Sequence, residues 1–470
     1  MKRGQKKDRK QFFHVDIIDT AEEGLAIGRC DDGRIIQVKG AVPGDIADTI
    51  ALEKRKGMYI TKATTFHKLS AERTDPFCSH FGLCGGCKWQ HMAYEAQLHF
   101  KAKRVRDAFQ RIGELDPSIL QPIVGAPEQQ YYRNKLEYTA SDRKWLTDEE
   151  MKSGEVIQKD GIGFHLPGAF DKVLDIDHCY LQSDPSNAIR LFIKQFCINQ
   201  EWPFFNLRLK TGYIRNIIVR TNLIGEAMVV LVVGEDNPDW NKLLIDQLVE
   251  KFPQIVSLHI CINTKVNDSI HDLSATHVYG QEALTEQLHH VKFNIGPKSF
   301  FQTNSVQAGN LYALTKELAG LQPGDHVYDL YCGVGSLGIY MADSCKNVVG
   351  IEQIAEAVVD ASKNAELNNI TNAEFVVGQV EMLLDPSFIE RYGRPDVVIT
   401  DPPRAGMHPD VIKHLLAASP GKIVYVSCNP ATQARDLKML SDAYTVVTAV
   451  PVDMFPHTHH IECVALLQRK

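Results

Sequence analysis

Three textures of apolar and polar positions succeed one another along the chain. Residues 14–66 are short apolar runs broken by turns: HVDIIDTA, GLAIGRCDDGRIIQVKG and AVPGDIADTIALEKRKGMYITKATTF, with Asp31-Asp32-Gly33 as a hairpin signal. Strands so short and so regularly spaced predict a small β-barrel. Residues 68–92 are irregular and rich in cysteine. In 94–112, YEAQLHFKAKRVRDAFQRI, apolar positions recur at helical spacing with Lys101, Lys103, Arg104 and Arg106 among them, and Gly113 is placed to cap the end. Residues 131–295 are β-rich with helices between (NKLEYTAS, IRNIIVRT, EAMVVLVVG, SLHICIN). From about 296, the strands HVYDLYC, NVVGIE, AEFVVG, DVVIT, KIVYVSC and ECVALLQ alternate with helices, which predicts a doubly wound, largely parallel sheet. The expected organisation is a multidomain α/β chain. It has a β-barrel at 1–67, an α+β domain with a cysteine cluster at 68–295 and a Rossmann-like domain at 296–470.

Composition narrows the class. A chain of 470 residues is long enough for two or three domains, and its 44% hydrophobic and 23% charged content is that of a globular protein. The longest apolar run, Ala227 to Val233, is strand-length, and MKRGQKKDRK is followed by no apolar stretch that would make a secretory signal. A cytoplasmic location is the expectation. Eleven cysteines in such a compartment serve as metal ligands, nucleophiles or core residues rather than disulfides. The net charge of −7 gives no general affinity for nucleic acid, so any such surface is local. Lys2, Arg3, Lys6, Lys7, Arg9 and Lys10 against Asp8 read first as a solvated tail.

The chemistry gathers at strand ends. In KIVYVSCNPAT a β-branched run ends in Ser427-Cys428-Asn429-Pro430, and in PDVVITDPPRAG another ends at Asp401 before two prolines. The C-terminal rim of an open α/β sheet is where ligands bind. Upstream, DHVYDLYCGVGSLGIYMA is a strand, a glycine turn (Gly333, Gly335, Gly338) and a helix; Glu352 ends the next strand, where a carboxylate accepts from ribose hydroxyls. This fits a dinucleotide or S-adenosylmethionine. The C-terminal position of the domain, Asp329 ahead of the glycines, and DPPR favour S-adenosylmethionine. A thiol and acids beside a methyl donor suit a planar base such as uracil. Its C5 is too weak a nucleophile until a thiolate adds to C6, and a base must later remove the C5 proton. Cys428 is the candidate nucleophile, Asp401 a neighbour of both substrates, and Glu462 in HTHHIECVALLQ the candidate base. His457, His459 and His460 read as loop rather than metal ligands. Cys78, Cys84 and Cys87 in CSHFGLCGGC, with Cys179 in IDHCYLQ as the best fourth, suit zinc or a [4Fe–4S] cluster equally; Cys197 and Cys261 read as core. Tyr131-Tyr132-Arg133-Asn134-Lys135 and Phe300-Phe301 mix aromatic and basic chemistry suited to an extruded base.

FFQTN (300–304), DLYCGVG (329–335), DPPRAG (401–406), SCNPAT (427–432) and HIECV (460–464), in this order, resemble the RNA 5-methyluridine methyltransferases over nearly the whole chain. The resemblance implies Cys428 as nucleophile and Glu462 as base, with Gln302, Tyr331, Glu352 and Asp401 lining the S-adenosylmethionine and uracil pocket. It implies a [4Fe–4S] cluster on Cys78, Cys84, Cys87 and Cys179, a TRAM-like RNA-binding barrel, and packing of the helix near 94–112 with the catalytic domain. It points to 23S ribosomal RNA before transfer RNA as partner. The sequence is silent on oligomeric state, with a monomer expected. Two rivals stand beside this reading. An iron–sulfur dinucleotide oxidoreductase leaves Cys428 and DPPR unexplained, and a non-catalytic RNA-binding factor has no need of Cys428, Asp401 and Glu462 together.

Overall fold

The computed structural model describes residues 10–154 and 157–470, so Lys2, Arg3, Lys6, Lys7 and Arg9 of the basic tail lie outside the described residues. The chain forms two compact units. One runs up to Arg104 and includes Phe455–His460; the other comprises Val105–Met454 and Ile461–Lys470.

The first unit opens with five strands, β1 (Gln11–Thr20), β2 (Ala26–Arg29), β3 (Ile35–Lys39), β4 (Ile46–Arg55) and β5 (Met58–Lys68), closed into a barrel in the order β1-β2-β3-β5-β4. Phe12, Val15, Ile17, Ala26, Ile36 and Val38 fill its interior, as the alternation of apolar and polar positions requires. Closure pairs every strand edge, so no hydrogen-bonding row is left open. The buried Asp45 ties the barrel to the segment that follows. It accepts from the Val42 and Ser70 backbone N–H groups (2.7 and 2.9 Å) and takes both arms of Arg73 (2.8 and 2.7 Å). Residues 69–93, which carry three of the candidate cysteines, are turns and bends with no helix or named strand.

The second unit contains two seven-stranded sheets. The first is built from β6 (Lys135–Ser141), β7 (Gly161–Leu166), β8 (Ala169–Asp175), β9 (Ile214–Thr221), β10 (Ala227–Val233), β11 (Ile255–Ile262) and β12 (Ala275–Gly280), in the order β12-β11-β10-β9-β6-β7-β8. All residues of β9 and β10 are buried, the signature of central strands covered on both faces. A hairpin, β13 (Leu284–Leu288) and β14 (Val291–Ile295), follows.

The second sheet comprises β15 (His326–Leu330), β16 (Asn347–Glu352), β17 (Ala373–Val377), β18 (Val397–Thr400), β19 (Lys422–Ser427), β20 (Tyr444–Val452) and β21 (Glu462–Arg469), in the order β17-β16-β15-β18-β19-β21-β20. The first five are parallel. β21 runs antiparallel between β19 and β20. The order reverses at β15, whose neighbours are β16 and β18, so the crevice for a ligand opens at the C-terminal ends of these strands. Val105 and Phe109, from the last turns of the helix Tyr94–Arg111, belong to the core that includes Tyr328, Leu330, Val398 and Tyr425.

Candidate active site

Strand register assembles the rim. Thr400 pairs with Leu330 on one side and Tyr425 on the other, so the residues that follow β15, β18 and β19 emerge side by side. Asp401 is the first residue after β18, and its N–H donates to Leu330 (3.3 Å). Ser427 opposes Cys463 across the antiparallel β19–β21 pair, which sets Cys428 next to Glu462. The two rim loops are fastened together: the Arg404 carbonyl accepts from the Asn429 side-chain amide (2.9 Å) and the Thr432 hydroxyl (3.2 Å). Asn429 also caps the helix Pro430–Leu440 with its side-chain oxygen. Cys428 therefore stands just before a helix N-terminus, whose positive end favours a thiolate.

The electrostatics of this rim are unusual. Burial, then the Glu462 and Asp401 carboxylates, push the Cys428 thiol up to about 12; Arg404 opposes them. Glu462 is buried, and burial followed by Asp401 holds its proton well above the ordinary carboxylate range, again against Arg404. A strand-start acid ordinarily lies in water, yet this one is enclosed. Burial pushes the half-buried Asp401 up to about 7. Asp329, 1% exposed, reaches about 7 as well, through burial first and then Asp401 and Glu352, while the Gly338 N–H works the other way.

The glycine turn frames the second half of the site. Gly335 has φ +77°, and a Cβ there would lie 2.8 Å from the Phe375 ring; a Cβ on Gly338 would meet Asp329 Oδ2 at 3.0 Å. Gly338 N–H instead donates to that oxygen at 2.8 Å. Glu352 accepts from the N–H groups of Gly333 (3.1 Å) and Ile354 (2.9 Å), one on each carboxylate oxygen. Tyr331 adopts φ +64°, and its hydroxyl is met by the backbone of His408 beyond the DPPR loop. Gln302 is half-buried, with its carbonyl held by the Asn134 side chain (2.9 Å). Charge coupling thus gathers Asp329, Glu352 and Asp401 on one side, and Cys428, Glu462 and Asp401 on the other. Tyr331 adjoins Asp401 through strand register, and Gln302 is placed by a contact of its own.

Two participants escape sequence reasoning. Arg404 is the cation that acts on both Cys428 and Glu462. Tyr312, buried in the helix Ser305–Ala319, lies within electrostatic reach of Asp401 and Asp329 and bonds to Ser336. Tyr312 reads as an ordinary core aromatic, while Arg404 is visible as part of DPPR without a role. The paired phenylalanines divide their tasks: Phe301 is buried against Phe293 at 5.5 Å, and Phe300 is 73% exposed.

None of the eleven cysteines is in a disulfide. In the first unit, Cys84 feels Cys78, receives the Gly86 N–H and adjoins Lys88, which also feels Cys87. Gly85 has φ +76°, which folds the chain between the last two thiols. This loop, with a backbone donor and a cation turned on sulfur, suits thiolate ligands. In the second unit, Cys179 is fixed on both sides by Asn187, which accepts its N–H (2.8 Å) and donates to its carbonyl (3.1 Å). Among the described residues, the metal-ligating atoms of His14, Asp48 and His67 lie within 4.8 Å of one another. Their two imidazoles stack at 4.1 Å with planes 10° apart, so the in-plane lone pairs run side by side instead of converging on one ion. No helix among the described residues is long and apolar enough to cross a membrane.

Residues 289–470 match the family model of tRNA (uracil-5-)-methyltransferase. The chain is 46% identical over 453 residues to an uncharacterized RNA methyltransferase of Bacteroides thetaiotaomicron, covering 95% of this chain and 99% of the relative. It is 47% identical over 465 residues to an uncharacterized RNA methyltransferase of Porphyromonas gingivalis, covering 97% and 99%. Among solved structures it is similar to the Pyrococcus abyssi tRNA (uracil-54, C5)-methyltransferase in complex with S-adenosyl-L-homocysteine. The TM-score is 0.74 and the identity 31%, with 96% of this chain and all of the other covered.

Proposed function

The chain belongs to the RNA (uracil-C5) methyltransferase family, and from that premise we propose that it methylates uridine C5 in 23S ribosomal RNA, with S-adenosylmethionine as methyl donor and Cys428 as nucleophile. The observation that carries the reaction is the register that sets Cys428 beside the buried Glu462, with Asp401 coupled to both.

In this reading the Cys428 thiolate adds to C6, and the C5=C6 electron pair shifts to form an enolate. C5 takes the methyl group, with the sulfonium leaving as a neutral thioether. Glu462 then removes the C5 proton, the double bond reforms and the C6–S bond breaks, returning the thiolate. Gln302, Tyr331, Glu352 and Asp401 line the pocket of donor and base. The barrel serves as a TRAM-like RNA-binding module, and the three divisions 1–67, 68–295 and 296–470 keep separate tasks in a cytoplasmic, monomeric enzyme.

Cys78, Cys84, Cys87 and Cys179 are proposed to ligate a [4Fe–4S] cluster. Such a cluster would lend its region rigidity and charge; no step of the methylation is routed through it. Anaerobically purified protein should carry about four irons per chain, and Cys87→Ser should lose them; an iron-free, zinc-loaded protein would replace this assignment.

The likeness to a transfer-RNA enzyme favours a second reading in which the substrate is transfer RNA. One experiment separates them: purified protein and methyl-labelled donor are incubated with 23S RNA and with transfer RNA, and 5-methyluridine is mapped by nuclease digestion and mass spectrometry. Label in 23S RNA alone supports the first reading, and label in transfer RNA alone transfers the function there. Label in neither, or at an atom other than uracil C5, overturns the reaction.

A further inference from the structure

We propose that Asn134 is a positioning residue for Gln302, oriented by a buried chain that ends on Glu286. The inference rests on the reading that Gln302 lines the donor pocket.

The chain is directional. Glu286, 1% exposed, uses one carboxylate oxygen to accept the N–H groups of Leu223 (3.2 Å) and Gln287 (3.1 Å), and the other to accept the Ser305 hydroxyl at 2.5 Å. Ser305 has one proton, and it is committed to that carboxylate. The Ser305 oxygen can therefore only accept, and it does so from the Asn134 side-chain nitrogen at 2.8 Å. The amide is thereby locked with its NH₂ toward Ser305, and its second N–H donates to the Gln302 carbonyl at 2.9 Å. The Asn134 backbone N–H holds the next carbonyl, Thr303, at 2.7 Å. One residue thus fixes both peptide planes on the C-terminal side of Gln302.

The N-terminal side is held independently. Phe301 is buried against Phe293, and the Ser299 carbonyl accepts from Arg220 (2.9 Å) while its hydroxyl donates to Asp360 (2.7 Å). Between these anchors, the direction of the Gln302 side chain is set by the peptide that Asn134 grips. An oriented amide, rather than mere bulk, is what the geometry demands. Asn134 is 6% exposed, and its side-chain oxygen is buried with no donor among the described residues, so the site is built for the two N–H bonds and not for general polarity.

The test is a double-mutant cycle read by calorimetric titration of S-adenosylmethionine, with steady-state kinetics alongside. Asn134→Asp keeps the shape but has no proton to offer Ser305 or Gln302. It should raise the donor Kd and KM about tenfold while leaving kcat at saturation within about twofold. In a Gln302→Ala background the same change should move Kd by less than about twofold, because Asn134 acts through Gln302. Equal effects in both backgrounds, or a kcat loss with Kd unchanged, overturn the proposal. If Gln302→Ala alone leaves Kd unaltered, the pocket reading itself falls, and the positioning role with it. Should Asn134→Asp not fold, Ser305→Ala, which removes the acceptor that clamps the amide together with the hydroxyl given to Glu286, is expected to show a smaller Kd effect of the same non-additive kind; an additive effect there overturns the proposal equally.

Discussion

Asp329→Asn should make the ligand-free protein more resistant to unfolding in alkaline solution than in acid, relative to wild type, while weakening donor binding. Asp329 is buried, with one oxygen bonded to Gly338 N–H and the other without a partner among the described residues, and its acidity constant stands near 7 instead of 3.8. The folded state therefore binds the proton more tightly than the unfolded state. Below about pH 3 both are protonated and there is no penalty. As pH rises toward 7, the unfolded chain ionises while the folded chain resists, and stability is lost; above 7 the loss is constant. With 1.36 kcal/mol per unit, the penalty is about 2 kcal/mol at pH 5 and about 4 kcal/mol at pH 8.

Asparagine removes this pH-dependent penalty. It keeps an oxygen for Gly338 but adds an amide group with no obvious acceptor, a pH-independent loss of about 1–3 kcal/mol. The stability difference between variant and wild type should therefore rise in the variant's favour by about 3 kcal/mol between pH 5 and pH 8. Urea unfolding at the two pH values measures it. If the cationic donor sits beside this carboxylate, as the proposed function has it, its Kd should rise about tenfold or more near pH 8. A stability difference that is flat or falls with pH would refute the account of Asp329 as a buried, repelled carboxylate.

Cys428→Ala should abolish methyl transfer and leave donor affinity unchanged, as single-turnover assay and calorimetry together would show; residual turnover would remove the covalent route. Glu462→Gln should let a protein–RNA adduct accumulate on a denaturing gel, because the C5 proton stays in place, and absence of the shifted band counts against its role as base. Arg404→Leu should move the basic-side rise of kcat/KM to higher pH, since burial, Glu462 and Asp401 then act on Cys428 unopposed; an unmoved profile would mean the guanidinium does not reach the thiol in the working complex. Phe300→Ala should raise KM for RNA about tenfold with KM for the donor unchanged, if its exposed ring stacks on an RNA base.

What the sequence revealed, and what it hid, divides along the range of the forces involved. β18 and β19 are short β-branched runs followed directly by an acid and a thiol, so both the strand and the chemistry at its tip are local facts. The barrel is equally legible, because Asp31-Asp32-Gly33 and the apolar alternation fix its turns and faces. β20 is not, since Pro451 interrupts its apolar pattern. The structure tolerates that proline because β20 is the outermost strand of its sheet, where a missing N–H breaks no inner ladder. Glu462 shows the limit best. Its position at a strand start reads as solvated, and only the antiparallel insertion of β21 between β19 and β20 encloses it. Arg404 and Tyr312 act on groups far away in sequence, and nothing in their neighbours along the chain announces that.

In the ligand-free rim Cys428 and Glu462 both hold their protons, and this bears on the order of events in the proposed reaction. A Cys428 thiol pushed up to about 12 stays protonated at neutral pH, which in the proposed reaction would shield the resting nucleophile from stray alkylation and oxidation. Ionising it at neutral pH takes about 7 kcal/mol. A donor cation bound at the rim would lower that cost. In the proposed reaction the thiol proton would leave as the C6–S bond forms, and Asp401, pushed up to about 7 by burial and coupled to Cys428, is the group that would take it. The same donor charge favours the ionised form of Glu462 while the complex assembles. Methyl transfer then turns the sulfonium into a neutral thioether. With that charge gone, an ionised Glu462 would regain the strong proton affinity its burial gives it at the moment the C5 proton must leave. The burial that makes Glu462 expensive to ionise at rest is, on this argument, what makes it an effective base in the last step.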